Sequence, residues 1–147
     1  MRKEIKIAII QYIWADYLSA VVGWFLFLFY RKSILAVIDW HSFFQEITFR
    51  DIISGFVVVP GGWMLLHVLS GAYFNPYRKS RFIEIFRTFI STLIGSIILY
   101  FISFVNDIGN NANYLYKTFF IYFILQYIIL SIGRIIVLNI VKQKINK

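Results

Sequence analysis

Four stretches of the chain run almost free of charge. Between Lys6 and Arg31 the only charged residue is Asp16, and from Thr118 to Val141 the only one is Arg134. Between Asp51 and Arg78, and again between Arg87 and Asp107, there is none. A helix needs about 20 mostly apolar residues to cross the hydrocarbon core of a bilayer. The pattern therefore predicts spans at about 8–30, 52–73, 86–105 and 117–139. Strands of a membrane barrel would be about 10 residues long and strictly alternating. These runs are longer and apolar on all sides, and a helix satisfies its own backbone in lipid. The expected fold class is an all-α membrane protein, a bundle of four transmembrane helices forming a single domain over 1–147.

Composition sharpens this reading. Of 147 residues, 60% are apolar, 20% aromatic and 15% charged, and the mean hydropathy is +0.72. Soluble domains are roughly 45–50% apolar and 25% charged. An ordinary soluble domain and a disordered chain are both excluded. The net charge of +8 would suggest nucleic acid in a soluble protein. Here the basic residues sort by side. Arg2, Lys3, Lys6, Arg78, Lys79, Arg81, Arg87, Arg134, Lys142, Lys144 and Lys147 fall on one side, against Arg31, Lys32, Arg50 and Lys117 on the other. The positive-inside rule then places both termini and the 74–85 loop in the cytoplasm, which an even number of spans permits. Topology accounts for the charge, and no nucleic-acid partner is expected. The basic start followed by an apolar run resembles a signal peptide, but the run is too long, Asp16 interrupts it and three more spans follow. With no cysteine, disulfides and thiol chemistry are excluded.

The connections differ in character. The segment from Lys32 to Arg50 carries Trp40, His41, Phe43, Phe44 and Phe49, and suits the outer interface. Asn106 to Tyr116 is polar and reads as a short exposed turn region. Tyr77-Arg78-Lys79-Ser80-Arg81 places three basic residues in four positions at the inner surface. Such a cluster attracts anionic lipid headgroups at roughly 1 kcal/mol per basic residue, and serves equally as a topology determinant.

The polar residues within the spans are the candidate site. Asp16 lies ten residues beyond Lys6, roughly 15 Å along a helix. An ionised carboxylate at that depth requires a partner or water. Tyr12, Ser19, Ala20 and Gly23 share its helical face, a small and polar stripe suited to close packing. Asp16 is thus expected to face the bundle interior. His67, Arg87 and Arg134 fall in the same half of the membrane, so a cluster of Asp16, His67, Arg87 and Arg134 is expected. It reads as a structural ion pair fixing helix register, as an anionic headgroup site, or as a proton-coupled transport site. Pro60-Gly61-Gly62 in span 2 predicts a kink or break. Ser91-x-x-x-Gly95 and Thr92-x-x-x-Ser96 in span 3 predict close helix packing.

Several chemistries lack their residues. There is no Gly-rich phosphate loop, no His-Glu-x-x-His, no paired-carboxylate motif in a polar segment and no nucleophile elbow. His41 and His67, at opposite surfaces, are too far apart in depth to share a metal. No metal, cofactor or catalytic residue is expected in this chain, which alone is not expected to be an enzyme.

Asp16-Tyr17-Leu18-Ser19-Ala20, followed by Trp24, Phe25, Phe27, Tyr30, Arg31 and Lys32, resembles the first span of bacterial polyprenyl-phosphate sugar-1-phosphate transferases. These are the initiating enzymes of exopolysaccharide and O-antigen assembly. Gly71-x-Tyr73 with Pro76-Tyr77-Arg78-Lys79-Ser80-Arg81 is similar to the basic segment after their second span. Asn106-Asp107, then Tyr114, Tyr116, Lys117 and Phe119, and the ending Arg134 to Lys147 fit as well. The resemblance covers essentially the whole chain. It implies the N-terminal membrane domain of such an enzyme, in a bacterial inner membrane. The family's Rossmann-like domain and its catalytic domain, which transfers a sugar phosphate to undecaprenyl phosphate with Mg²⁺, have no counterpart within 1–147. The resemblance implies a membrane-anchoring and assembly role, with the bilayer and anionic or polyprenyl-phosphate lipid as partners and homo-oligomers allowed. Two alternatives stand beside it: a stand-alone four-span protein flipping polyprenyl-linked sugars, and a small proton-coupled transporter.

Overall fold

A computed structural model describes residues 2–36, 39–74, 80–104 and 112–145. Every element among them is helical: α1 (Arg2–Ala36), α2 (Trp40–Glu46), α3 (Phe49–Leu69), α4 (Arg81–Leu99) with a π-helical continuation over Tyr100–Phe104, and α5 (Ala112–Ile145). Four segments are long and apolar enough to cross a membrane: Arg2–Ser33, Phe49–Leu69, Arg81–Ile102 and Leu115–Lys144. Each expected span thus coincides largely with a membrane-competent helix. Most of them run past the charges that delimit the apolar stretches, because charge ends the apolar run without ending the helix. The polar turn expected over Asn106 to Tyr116 is shorter at its far end, since α5 has begun by Ala112. The rest of that turn lies outside the described residues, as do Tyr77, Arg78 and Lys79 of the basic loop.

Local chemistry sets the helix ends. At the start of α3, Thr48 and Asp51 form a reciprocal cap. The Thr48 Oγ1 accepts from the Asp51 N–H at 3.3 Å, and the Asp51 carboxylate accepts from the Thr48 N–H at 3.2 Å. Ser80 caps α4, its Oγ accepting from the Ile83 N–H at 3.3 Å. At the far end of α3, Gly71 takes φ +69°. The Ala72 N–H reaches back to the His67 carbonyl at 3.0 Å and the Gly71 N–H to Val68 at 3.1 Å. This is the left-handed glycine stop. It ends the helix at Leu69 rather than at 73, and turns Tyr73 back towards α1.

At Pro60, where a kink or break is expected, the helix continues through the proline. A π-helical turn over Ser54–Val58 comes just before it, and the Val59 N–H donates to the Ser54 carbonyl. The widened turn accommodates the proline ring, which would otherwise clash with the preceding turn. Among the described residues nothing lies close to where a Cβ of Gly61 or Gly62 would stand, so they mark no close helix contact there.

Packing is inverted relative to a soluble bundle. On α1 the exposed face carries Trp14, Leu18, Val22 and Leu26, and on α5 it carries Ile124, Ile128, Ile132, Ile136 and Ile140. The interior holds Asp16, Ser19, His67, Glu84, Thr88, Thr92, Ser96, Gln126 and Arg134. That inversion fits an apolar solvent, in which close approach and internal hydrogen bonds hold helices together. α1 lies along α5, while α3 packs on α1 and α4 on α5. A Cβ at Gly133 would meet the Ser19 Oγ at 2.9 Å, so glycine is what lets α5 approach α1 there. Two apolar clusters flank the polar layer. One is Tyr12, Val137, Leu138 and Val141, and the other centres on Trp24, Phe27, Phe43, Trp63 and Tyr122.

Candidate functional site

The close α1–α5 contact at Gly133 sets the next residue, Arg134, opposite Asp16. The Arg134 Nε donates to Asp16 Oδ1 at 3.0 Å and Nη2 to Oδ2 at 2.9 Å. Two parallel charge-assisted bonds of this kind fix the orientation of both side chains. The remaining arm, Nη1, donates to Glu84 Oε1 of α4 at 2.9 Å. The Tyr73 hydroxyl, delivered by the Gly71 turn, donates to Asp16 Oδ2 at 2.7 Å. Burial, and after it the negative charge of Asp16, pushes the Tyr73 phenol above its ordinary range, so it remains a neutral donor. Arg134, Asp16 and Glu84 are each 1% exposed. One guanidinium thus joins three helices, and Asp16 ties in the turn after a fourth.

The expected cluster is corrected in two places. Arg87 is exposed and lies outside it. Its place is taken by Glu84, which the apolar runs alone did not single out. The available signal was the buried stripe Glu84, Thr88, Ser91, Thr92, Gly95 at helical spacing, with Arg87 off it. His67, fully buried, borders the triad through Tyr73, with ring centroids 6.5 Å apart, and stacks on Trp63 at 5.9 Å. The α1 stripe of Tyr12, Ser19, Ala20 and Gly23 is buried as expected. So are Ser91, Thr92, Gly95 and Ser96 of α4, where the position of Gly95 abuts the Trp63 ring. Of the basic loop, Ser80 is the cap of α4, and Arg81 is exposed at its first turn.

The triad's geometry offers little to a headgroup. The guanidinium directs Nε, Nη1 and Nη2 at protein carboxylates and is buried. Elsewhere, an apolar cavity of about 490 Å³ opens between α1, α2 and α3, lined by Phe25, Trp40, Phe43, Phe44, Ile52 and Phe56 among others. On its edge, Trp40 stacks on Phe29 with centroids 3.8 Å apart. His41 is exposed on α2. Among the described residues no group of three or more His, Asp or Glu side chains is placed to hold a metal ion.

Among the described residues, these features define an all-helical protein with four membrane-competent helices, three of them tied together by a buried ion triad. No family model, no curated protein and no solved structure matches the chain.

Proposed function

We propose that the chain is the membrane-anchoring and assembly domain of a sugar transferase, of the kind it resembles: the enzymes that pass a sugar phosphate to a polyprenyl phosphate. It sits in a bacterial inner membrane with both termini cytoplasmic. The observation that carries this reading is the triad. Asp16 and Glu84 are both engaged by Arg134 and withdrawn from the surface. That arrangement suits a register lock between helices better than a catalytic or ligand-binding centre. The four membrane-competent helices support an anchor, and the distribution of Lys and Arg supports the orientation.

Two experiments test the proposal. Reading the gene past codon 147 is expected to show an open frame running into a Rossmann-like and then a transferase domain. A stop codon beside a separate glycosyltransferase gene would overturn it in favour of the flipping protein. Purified 1–147 in lipid nanodiscs, given nucleotide sugar, undecaprenyl phosphate and Mg²⁺, is expected to transfer nothing. Turnover would refute the anchor role.

A further inference from the structure

We propose that the seam between α1, α4 and α5 binds water at Gln126, so that the middle of the bundle is hydrated rather than a dry helix contact. Gln126 is fully buried, and neither its Oε1 nor its Nε2 has a hydrogen-bond partner among the described residues. The same holds for the buried Trp24 Nε1 and Ser96 Oγ. A primary amide brings two donors and two acceptor lone pairs. Leaving all of them unmet in apolar surroundings is strongly unfavourable, and native interiors meet them with protein or with ordered water.

Other buried hydroxyls of the bundle are engaged elsewhere. Ser19 donates to the Ala15 carbonyl at 2.7 Å, Thr88 to Glu84 at 2.7 Å and Thr92 to Thr88 at 2.6 Å. The Tyr122 oxygen accepts from Trp63 Nε1 at 3.1 Å. The groups left over border linked contacts along the same seam. Gln126 Oε1 lies where a Cβ of Gly23 would stand, and Gly23 precedes Trp24. The Trp24 ring meets Tyr122, one turn from Gln126, edge-on at 6.3 Å. Ser96 follows Gly95, whose position abuts Trp63, the residue bonded to Tyr122. Buried water typically makes about three hydrogen bonds to groups otherwise unsatisfied, and the Gln126 amide, the Trp24 indole N–H and the Ser96 hydroxyl are such groups in this seam. Gln126 is eight residues from Arg134, roughly 12 Å along α5, and so is separate from the triad.

X-ray radiolytic footprinting of the protein in nanodiscs tests this, because hydroxyl radicals made from bound water label the side chains beside it. Trp24 and Tyr122 are buried to 6% and 1% exposure. In the wild-type protein they are expected to be labelled nonetheless. Gln126→Met, which keeps volume and removes both polar atoms, is expected to cut that labelling at least fivefold with helical content unchanged. If this variant does not fold, Ser96→Ala carries the same comparison with a partial loss. Absence of labelling at Trp24 and Tyr122 in the wild type overturns the proposal. Equal labelling in the folded variant overturns it too.

Discussion

The Lys32–Asp51 pair and the Arg134–Asp16–Glu84 triad use the same chemistry in opposite surroundings. Lys32 Nζ reaches Asp51 Oδ2 at 3.1 Å with the two side chains 22% and 25% exposed, whereas Arg134 and Asp16 meet at 2.9 Å with 1% and 0% exposed. Water and salt screen the first pair, and its net worth lies at the usual surface value of about 0–1 kcal/mol. Lys32 also donates to the Glu46 carbonyl at 3.0 Å, so it ties α1 to α2 and α3 at their ends. The triad is unscreened. Taking its charges out of water is expensive, so its value lies less in net stability than in what happens when one member is lost. Two pairs of similar length can thus differ several-fold in consequence, with burial deciding.

That contrast ranks the expected effects of substitution. Arg134→Met leaves two carboxylates buried without their cation. It should destabilise the protein by about 3–5 kcal/mol, read as a shifted midpoint in denaturant titration of the detergent-solubilised protein. Asp16→Asn is milder. It leaves one guanidinium facing one carboxylate, so charge balances, while a bidentate charged contact is lost. A loss of about 2 kcal/mol is expected, with folded protein falling accordingly. Normal folded levels with unchanged stability would instead point to a ligand role for Asp16.

Gly71→Ala forces a Cβ into the left-handed region, at about 1–2 kcal/mol, and should loosen Tyr73 from Asp16. Fluorescence quenching or hydrogen exchange around Tyr73 reads that loosening. Lys32→Ala comes last. It should change stability by less than about 1 kcal/mol, and the difference should shrink further in high salt. A large effect at Lys32, or a salt-sensitive effect at Arg134, would break the comparison.

The same contrast explains what sequence reasoning reached. The spans were legible because charge is scarce and helix length in lipid is fixed. Asp16 and Arg134 were legible because each is the lone charge in an apolar run, where an ionised group demands an account. Glu84 was not. It stands among Arg81, Arg87 and the basic loop, where acidic and basic residues look like ordinary surface charge. Only its register with Thr88, Ser91 and Thr92 marks it as inward. Arg87, three residues on, has equal claim by depth and points elsewhere. Tyr73 depends on a single positive φ at Gly71, which brings a residue beyond the helix back onto α1. The π-helical turn before Pro60 is also beyond pattern reading, since a proline within a span predicts a disturbance without its form.

Asp16 and Arg134, 118 residues apart, are energetically one unit that sets α1 against α5. A double-mutant cycle with Asp16→Asn and Arg134→Gln, read as unfolding free energy in one detergent, measures that coupling directly. The two substitutions are expected to be far from additive, with an interaction energy of at least about 2 kcal/mol. Effects that add to within about 0.5 kcal/mol would contradict it, since side chains that do not share a contact behave that way.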